Sequence, residues 1–113
     1  WMSAPSLLKK WQDEVFTFLS KTPAVAGKPL TVVTTTGSEY EAYRSGGRNR
    51  FTTDELLRPY QVNAIHSGMS WQPPIVVYGM GTADAGKNIA EGANLYKQRV
   101  EMLIGNSNAG NNW

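Results

Sequence analysis

The sequence predicts an α/β fold, a doubly wound parallel sheet with helices on both faces, and three observations support it. Segments with helical and strand periodicity alternate in the order α-β-α-β-α. The first strand segment contains six consecutive β-branched residues, Thr31 to Thr36. Such a run, without polar and apolar alternation, is typical of a strand buried on both faces. The connection between the two strand segments is long enough for a right-handed parallel crossover.

The first helix is predicted over Pro5–Leu19. Ser3 is its expected N-cap, and Pro5 is expected inside the first turn, where a missing N–H leaves no hydrogen bond unmade. Apolar residues recur at helical spacing and predict one buried stripe. The stripe consists of Leu7, Leu8, Trp11, Val15 and Phe18.

The first strand, Leu30–Thr36, leads through a polar loop, Gly37–Arg50, into a second helix. This helix has a clear start signal, because Thr52 and Glu55 have the spacing of a capping box. Pro59 is expected to kink or break it, since a proline ring clashes with the carbonyl four residues earlier. The helix is expected to end near Ser67-Gly68.

A second apolar strand is predicted over Pro74–Gly79, followed by a last helix from near Ala83-Asp84 to Gly105. The helical spacing assigns an inner face to Ile89, Ala93, Tyr96, Val100 and Leu103, and an outer face to Lys87, Glu91 and Arg99. The Asn- and Gly-rich residues 106–113 are expected to form a disordered tail.

The composition fits one small domain and argues against several classes of protein. The 113 residues are 41% hydrophobic and include four Trp, five Tyr and three Phe, enough for a core. Eleven Lys and Arg against nine Asp and Glu give a net charge of +2 without a basic cluster, so nucleic-acid binding is not expected. No apolar run approaches the roughly 20 residues of a membrane span. The absence of cysteine excludes disulfides and thiol chemistry and fits a cytoplasmic protein.

Two strands are too few for a sheet that carries helices on both faces. The chain also opens at Trp1 with a helix almost at once, as though a strand preceded it. We therefore expect residues 1–105 to be the C-terminal two-thirds of a larger domain whose N-terminal strands are absent.

Two motifs favour structural roles over catalytic ones. Gly81–Asn88 approximates the phosphate-binding loop pattern, but Asn88 replaces the hydroxyl that ligates Mg²⁺, and Asp84 is better explained as a helix cap. His66 is the only histidine and cannot form a zinc site without cysteine. No metal site is predicted.

The segment Thr34–Ser38 is the main candidate for ligand binding. It lies at the carboxyl end of a parallel strand, where open α/β sheets bind their ligands. Threonine hydroxyls and successive N–H groups in a glycine turn can donate to an electron-rich ring edge. An ordinary strand-to-loop turn is the alternative, and Tyr40 and Tyr43 just downstream favour the ligand site.

Several motifs together resemble the flavodoxin-like NAD(P)H:quinone oxidoreductases. The opening WMSAPSLLKKWQDEV, residues 1–15, is similar to the W-x-S-x-P-x-L-L-K-x-W-x-D-x-V segment of that family, and Val33–Gly37 is similar to its flavin-ring loop. The similarity continues in order through Glu41–Arg44, Asn49–Phe51, Leu56–Tyr60, Gly68–Pro74 and Tyr96–Arg99. Within the family, the chain most resembles the ancillary proteins of glutathione-regulated potassium efflux and related general-stress reductases.

The resemblance implies a protein that carries FMN, with FAD as the alternative, and passes hydride from NAD(P)H to a quinone in ping-pong order. Trp1, Met2 and Ser3 match the segment along the isoalloxazine ring. Thr35, Thr36, Gly37 and Ser38 match the loop at its pyrimidine end, where donors stabilise the negative charge of the reduced ring. Tyr43 matches an active-site tyrosine.

The resemblance also implies a homodimer, with the helix around Leu56–Ile65 and the tyrosine-bearing loop as expected contacts. A different class of function is a regulatory subunit that docks on a potassium-efflux transporter through Arg44, Arg48 and Arg50, at the inner face of the membrane. A non-catalytic fragment is the third reading. The family's flavin-phosphate loop is absent before Trp1, and Asn49 stands where the mammalian enzyme has a histidine, so no proton relay is expected there.

Overall fold

The computed structural model describes residues 2–108. A first helical segment consists of α1 (Ser6–Trp11), a π-helical stretch (Gln12–Phe16) and α2 (Thr17–Leu19). The strands are β1 (Pro29–Leu30), β2 (Val33–Thr35), β3 (Ser70–Trp71) and β4 (Ile75–Val77). The remaining helices are a 3₁₀ helix (Tyr40–Tyr43), α3 (Thr53–Leu56), α4 (Arg58–His66) and α5 (Ala85–Asn108).

The strands form a two-stranded parallel ribbon with one interruption. β1 pairs with β3 in the register Pro29 to Ser70, and β2 pairs with β4 in the register Val33 to Ile75. The β3–β4 side therefore contains one more residue than the β1–β2 side. The extra residue falls at Pro73–Pro74, which have no N–H to donate to a ladder. The predicted parallel α/β arrangement is confirmed, whereas β3 was not predicted.

Helices lie on both faces of the ribbon. The Val77 side chain points to α5, where it lies against Gly92. The neighbouring Tyr78 side chain points the opposite way, and its hydroxyl bonds to Thr53 of α3 at 2.7 Å. Because successive side chains of a strand point to opposite faces, α3 and α5 occupy different faces, as predicted.

The first helix forms as predicted but differs in its cap and its packing. Pro5, at φ −58° and ψ 152°, occupies the N-cap without a side-chain hydrogen bond, so Ser3 is not the cap. Thr17 Oγ1 donates to the Gln12 carbonyl at 2.8 Å across the π-helical stretch. The predicted apolar stripe is between 41% and 77% exposed in the described structure. Half-buried Gln12 and Phe16 instead face α4 across a cavity of about 160 Å³.

The second helical region confirms both predicted signals. Glu55 N–H donates to Thr52 Oγ1 and Thr52 N–H donates to Glu55 Oε1, each at 3.2 Å, which completes the capping box. The helix breaks at Leu57, with Pro59 in the first turn of α4. Gly68 follows the end of α4 with φ +71°, the left-handed conformation that glycine adopts readily.

The last helix is longer than predicted and packs through a different face. It extends to Asn108, the last described residue, so residues 106–108 are helical, and the rest of the predicted tail lies outside the described residues. Arg99, predicted to point outward, donates from Nη1 to the Pro73 carbonyl at 2.6 Å. Ile89 and Tyr96, predicted to face inward, are 52% and 50% exposed. The face turns because the buried Gly92, without a side chain, lets α5 approach the ribbon closely.

The core of the described chain is small. Its buried apolar residues are Ala42, Tyr43, Ala64 and Ile75. Within residues 2–108, no helix combines the length and the apolar character needed to cross a bilayer.

Substitution Gly92→Ala should destabilise the fold by about 1–3 kcal/mol, because the added Cβ would collide with Cγ2 of Val77. Gly105→Ala is the matched control, since it is a helical glycine with no atom near the new methyl. The control should be neutral or stabilise by up to about 1 kcal/mol through helix propensity. Urea unfolding measures both changes, and equal effects of the two substitutions would contradict the close packing.

Candidate functional site

The loops that follow the carboxyl ends of β2 and β4 are hydrogen-bonded to each other. Together, residues 36–38 and 79–82 form what we call the double loop. Beyond the strands, the carbonyls of Thr36, Gly37 and Ser38 accept hydrogen bonds from three consecutive amides. The donors are Met80 at 2.9 Å, Gly81 at 2.8 Å and Gly79 at 2.8 Å, in that order. The segment that the sequence predicted as a ligand loop is therefore held by its carbonyl side.

The amide side of the same loop stays available. Among the described residues, the N–H groups of Gly37 and Ser38 donate to no protein acceptor. Thr35 is exposed at the end of β2, while Thr36 Oγ1 is used internally and donates to the Ser38 carbonyl at 2.8 Å. The loop thus presents two successive N–H donors and one threonine hydroxyl, a donor set suited to an electron-rich ring edge.

The residues that resemble a phosphate-binding loop build the second half of this double loop. Gly79 has φ +77°, and Thr82 Oγ1 donates back to its carbonyl at 2.8 Å. Gly81 lies so close to Gly37 that a Cβ would be 3.0 Å from its carbonyl oxygen. Asn88, from the first turn of α5, donates Nδ2–H to the Tyr78 carbonyl at 2.9 Å. Their roles are structural, as the sequence predicted.

Asp84 immediately precedes α5, and its backbone carbonyl accepts from Asn88 N–H at 2.9 Å. Its position agrees with the predicted helix cap. Within the described part of the chain, its carboxylate makes no hydrogen bond to the first turn.

Three tyrosines gather beside the double loop. Tyr43 is 7% exposed, and its ring centroid lies 5.8 Å from that of Tyr78. Tyr40 meets Tyr78 edge-on at 5.2 Å and is 48% exposed. Burial raises the pKa of the Tyr78 phenol, and its hydrogen bond with Thr53 opposes that rise. Tyr78 and Thr53 were not predicted; the signal for Tyr78 was its place at the end of an apolar strand before a glycine.

A cavity of about 780 Å³ opens on this cluster. Its volume falls within the range of about 300–1,000 Å³ typical of small-molecule sites. Tyr40, Tyr43 and Tyr78 line one side, and residues of α5 that include Leu95 and Arg99 line the other. Tyr43 therefore lies in a cavity wall, as an active-site residue must.

Two of the three loop arginines, Arg44 and Arg48, contact side chains within the described chain, and Arg50 is exposed. Arg48 donates to both carboxylate oxygens of Glu39, at 2.6 and 3.1 Å, and this hydrogen bonding lowers the pKa of Glu39 below its ordinary value of 4.5. The Arg44 guanidinium lies 5.5 Å from the centre of the Tyr40 ring. The predicted docking arginines thus partly serve to order the loop.

The other predicted site residues are less constrained. Met2 and Ser3 are exposed, Met2 has φ +57°, and neither forms a hydrogen bond with the double loop in the described structure. Trp1 lies outside the described residues. Asn49 has a buried Nδ2 that lacks a hydrogen-bond partner within residues 2–108, so its amide is a donor without an acceptor.

Comparison with known proteins gives one consistent fold. A family model described as flavodoxin-like fold matches residues 1–100. General stress protein 14 of Bacillus subtilis is 41% identical over 106 residues, which are 90% of this chain and 60% of that protein. The uncharacterized NAD(P)H oxidoreductase YdeQ of B. subtilis is 38% identical over 107 residues, which are 91% of this chain and 54% of that protein. KefG of Serratia proteamaculans, a glutathione-regulated potassium-efflux system ancillary protein, is 42% identical over 80 residues, covering 67% and 44%.

Solved structures agree on the fold. General stress protein 14 of Treponema denticola in complex with FMN superposes with a TM-score of 0.78 at 28% identity, covering 91% of this chain and 60% of that one. An NADPH-quinone reductase from P. pentosaceus gives 0.70 at 32% identity, covering 81% and 58%. A protein described as a thermophilic tryptophan halogenase from Streptomycin violaceusniger gives 0.78 at 40% identity, covering 88% and 60%. The chain spans between 44% and 60% of the length of these curated relatives and structures.

Tyr78 should titrate above its ordinary pKa of 10.0, and Thr53→Val should move it higher still, because the Thr53 hydrogen bond lowers the pKa. Since the folded-state pKa is raised, the stability linked to Tyr78 is complete below pH 10 and is lost as the pH rises through the folded value. The ultraviolet difference titration between wild type and Tyr78→Phe isolates this phenol. Thr22→Val is the control for the lost hydroxyl, and a fall in the Tyr78 pKa in Thr53→Val would contradict the assignment.

Proposed function

Because the chain belongs to the flavodoxin-like family, we propose that it forms the flavin-ring and substrate part of an NAD(P)H-dependent oxidoreductase that reduces quinones. The double loop would hold the pyrimidine edge of FMN, with FAD as the alternative. Met2 and Ser3, with Trp1 before them, would run along the ring. When bound, the flavin supplies hydride transfer between NAD(P)H and a quinone, with the two substrates using one site in turn.

One observation carries this proposal: the double loop is fastened through the carbonyls of Thr36, Gly37 and Ser38, which leaves the Gly37 and Ser38 amides to donate outward. Donors fixed in advance cost no reorganisation when negative charge develops on a ring edge. The exposed Thr35 hydroxyl adds a donor of the same kind. This donor set fits the charge that a reduced flavin gathers near its pyrimidine oxygen.

The names of the relatives support the same chemistry. YdeQ is named an NAD(P)H oxidoreductase, one solved structure is an NADPH-quinone reductase, and another contains FMN. The tryptophan halogenase stands apart from these names. The proposal follows the oxidoreductases because the donor loop suits a flavin ring, and one of the solved structures contains FMN.

We assign Tyr43 the role of orienting the substrate oxygen. Its ring is fixed by burial and by Tyr78, and it lies in the cavity wall. Its hydroxyl donates to no protein acceptor in the described region, so it can donate to a ligand. Asn49 is assigned no such role, because its Nδ2 is buried and the residue does not line the cavity, and its carboxamide cannot carry a proton in the accessible pH range.

A regulatory ancillary subunit is the second candidate, and the match to KefG favours it. In this case the protein would dock on the cytoplasmic part of a potassium-efflux transporter. Co-purification with such a transporter, without quinone turnover in its absence, would support this function over the enzyme.

The visible absorption spectrum of the FMN-incubated protein tests the enzymatic proposal. The flavin band should bleach with NADPH under anaerobic conditions and return when a quinone is added. Absence of a bound flavin band after incubation with FMN would refute flavin binding by this chain.

Gly37→Pro should weaken FMN binding by up to about tenfold, because it removes one N–H donor to the ring edge while keeping the carbonyl that Gly81 binds. Gly46→Pro is the control, since Gly46 lies in the exposed loop with open space around it. Fluorescence titration with FMN gives both dissociation constants. Equal affinities for wild type and Gly37→Pro would show that the Gly37 amide does not donate to FMN.

Tyr43→Phe should lower kcat for quinone reduction at least about tenfold with little change in stability, because it keeps the buried ring and removes only the hydroxyl. Tyr60→Phe makes the same chemical change in α4, away from the tyrosine cluster, and should keep the wild-type kcat. Unchanged turnover in Tyr43→Phe would assign its hydroxyl no part in the reaction.

A further inference from the structure

The outer edge of β4 has open backbone groups. Ile75 N–H donates to Val32 and the Val77 carbonyl accepts from Thr36, both at 2.9 Å, so these two residues face the β1–β2 side. In a parallel ladder, alternate residues of a strand bond to opposite sides. The N–H and the carbonyl of Val76 therefore point away from β2, and no element of the described structure pairs with them.

This edge is short and has defined ends. Pro74, before it, has no N–H. At the other end, the Tyr78 carbonyl already accepts from Asn88 Nδ2 at 2.9 Å. What is left is the Tyr78 N–H together with the N–H and carbonyl of Val76, a set that spans one two-residue repeat of a strand.

The 780 Å³ cavity follows this edge and is walled by both helical layers. Val76 and Tyr78 line it, but Val77, which faces α5 from within the ribbon, does not. On the α5 side, Leu95 and Met102 are 54% and 48% exposed. The cavity is therefore a groove whose floor is an unpaired strand edge and whose α5 wall combines apolar Leu95 and Met102 with polar Gln98 and Arg99.

We propose that this groove binds an extended peptide segment of a partner protein as an added antiparallel strand. One residue of the peptide exchanges two hydrogen bonds with Val76, and the residue two positions earlier accepts from Tyr78 N–H. That earlier position tolerates proline, because the Tyr78 carbonyl has no place for another donor. This peptide site is separate from the proposed flavin site and does not depend on it.

The chemistry of the walls defines the peptide further. Side chains of an added strand alternate, so the central one faces the tyrosines and its neighbours face Leu95 and Met102. Arg44 and Arg99 outnumber Asp54 among the charged lining residues, which favours an acidic peptide. Arg99 binds the Pro73 carbonyl, so the acidic residue belongs near the C-terminal end of the peptide.

A single extended chain fits this groove better than a second copy of the protein. The side chains of α5 line the space beside Val76, and a second copy would bring its own α5 to the same place. A peptide of a few residues reaches the backbone without that second wall.

The test uses an acetylated and amidated hexapeptide of sequence proline, leucine, tyrosine, leucine, alanine, aspartate, in which the aspartate lies opposite Pro73 and on the α5 side. Its addition should slow amide hydrogen exchange at Val76 and Tyr78 at least about tenfold and leave the Val77 amide unaffected. The same peptide with an N-methyl group on its tyrosine cannot donate to the Val76 carbonyl and should bind about tenfold more weakly. The proposal is overturned if there is no binding at millimolar peptide, binding without protection at Val76, or equal binding of the methylated peptide.

A protein variant gives an independent readout. Val76→Pro removes the outward N–H and should abolish binding, whereas Val76→Thr keeps the backbone donor and should bind as wild type does. If Val76→Pro does not fold, the methylated peptide decides the question alone. If the same amides become protected without peptide as the protein concentration rises, the groove binds a second copy of the protein and not a partner peptide. FMN absorbance is expected to stay the same throughout, which separates this test from that of the flavin site.

Discussion

The parallel pairing of β2 with β4 is the constraint on which the rest of the structure depends. It brings two segments that are 42 positions apart into register, Val33 beside Ile75. The register continues past the strand ends, where the carbonyls of residues 36–38 meet the amides of residues 79–81. A shift of one residue would turn every side chain of β4 to the other face. Tyr78 would then leave Thr53, and the cavity wall formed with Tyr43 would be lost.

The same pairing gives the carbonyls and the amides of the double loop different roles. Carbonyls of the double loop are consumed in holding the two strand ends together, and amides are left to donate. Polarity at this end of the ribbon is therefore built from main-chain groups, with few ionised side chains. This agrees with a site that stabilises developing negative charge on a ring and needs no fixed counter-charge.

The sequence alone predicted the elements that depend on local chemistry. The capping box at Thr52, the break before Pro59 and the two main strand segments all follow from neighbouring residues, and all three are present. The family resemblance, confirmed by the comparisons, supplied what local patterns could not. For the site, the sequence located the loop at Thr35–Ser38, but its roles for Trp1, Met2, Ser3 and Tyr43 are still predictions.

What the sequence missed depends on contacts between distant segments. Helical spacing predicts that Arg99 lies on the surface. In the structure it donates to the carbonyl of Pro73, a residue that has no N–H and interrupts the ladder. The face of α5 that packs on the ribbon differs from the predicted one because Gly92 has no side chain and lets the helix approach closely. The spacing of apolar residues does not show this. The apolar run that contains Tyr78 predicts only a strand, because its partner Thr53 belongs to a helix 25 positions earlier in the chain.

The cavity between the first helix and α4 has a consequence for how the molecule unfolds. A helical segment of this length is marginal in water unless its neighbours hold it. Here the neighbouring face is separated by a gap of about 160 Å³, and the apolar stripe on the other side stays largely in solvent. We therefore expect the first helix to open at a lower free-energy cost than the ribbon and the double loop.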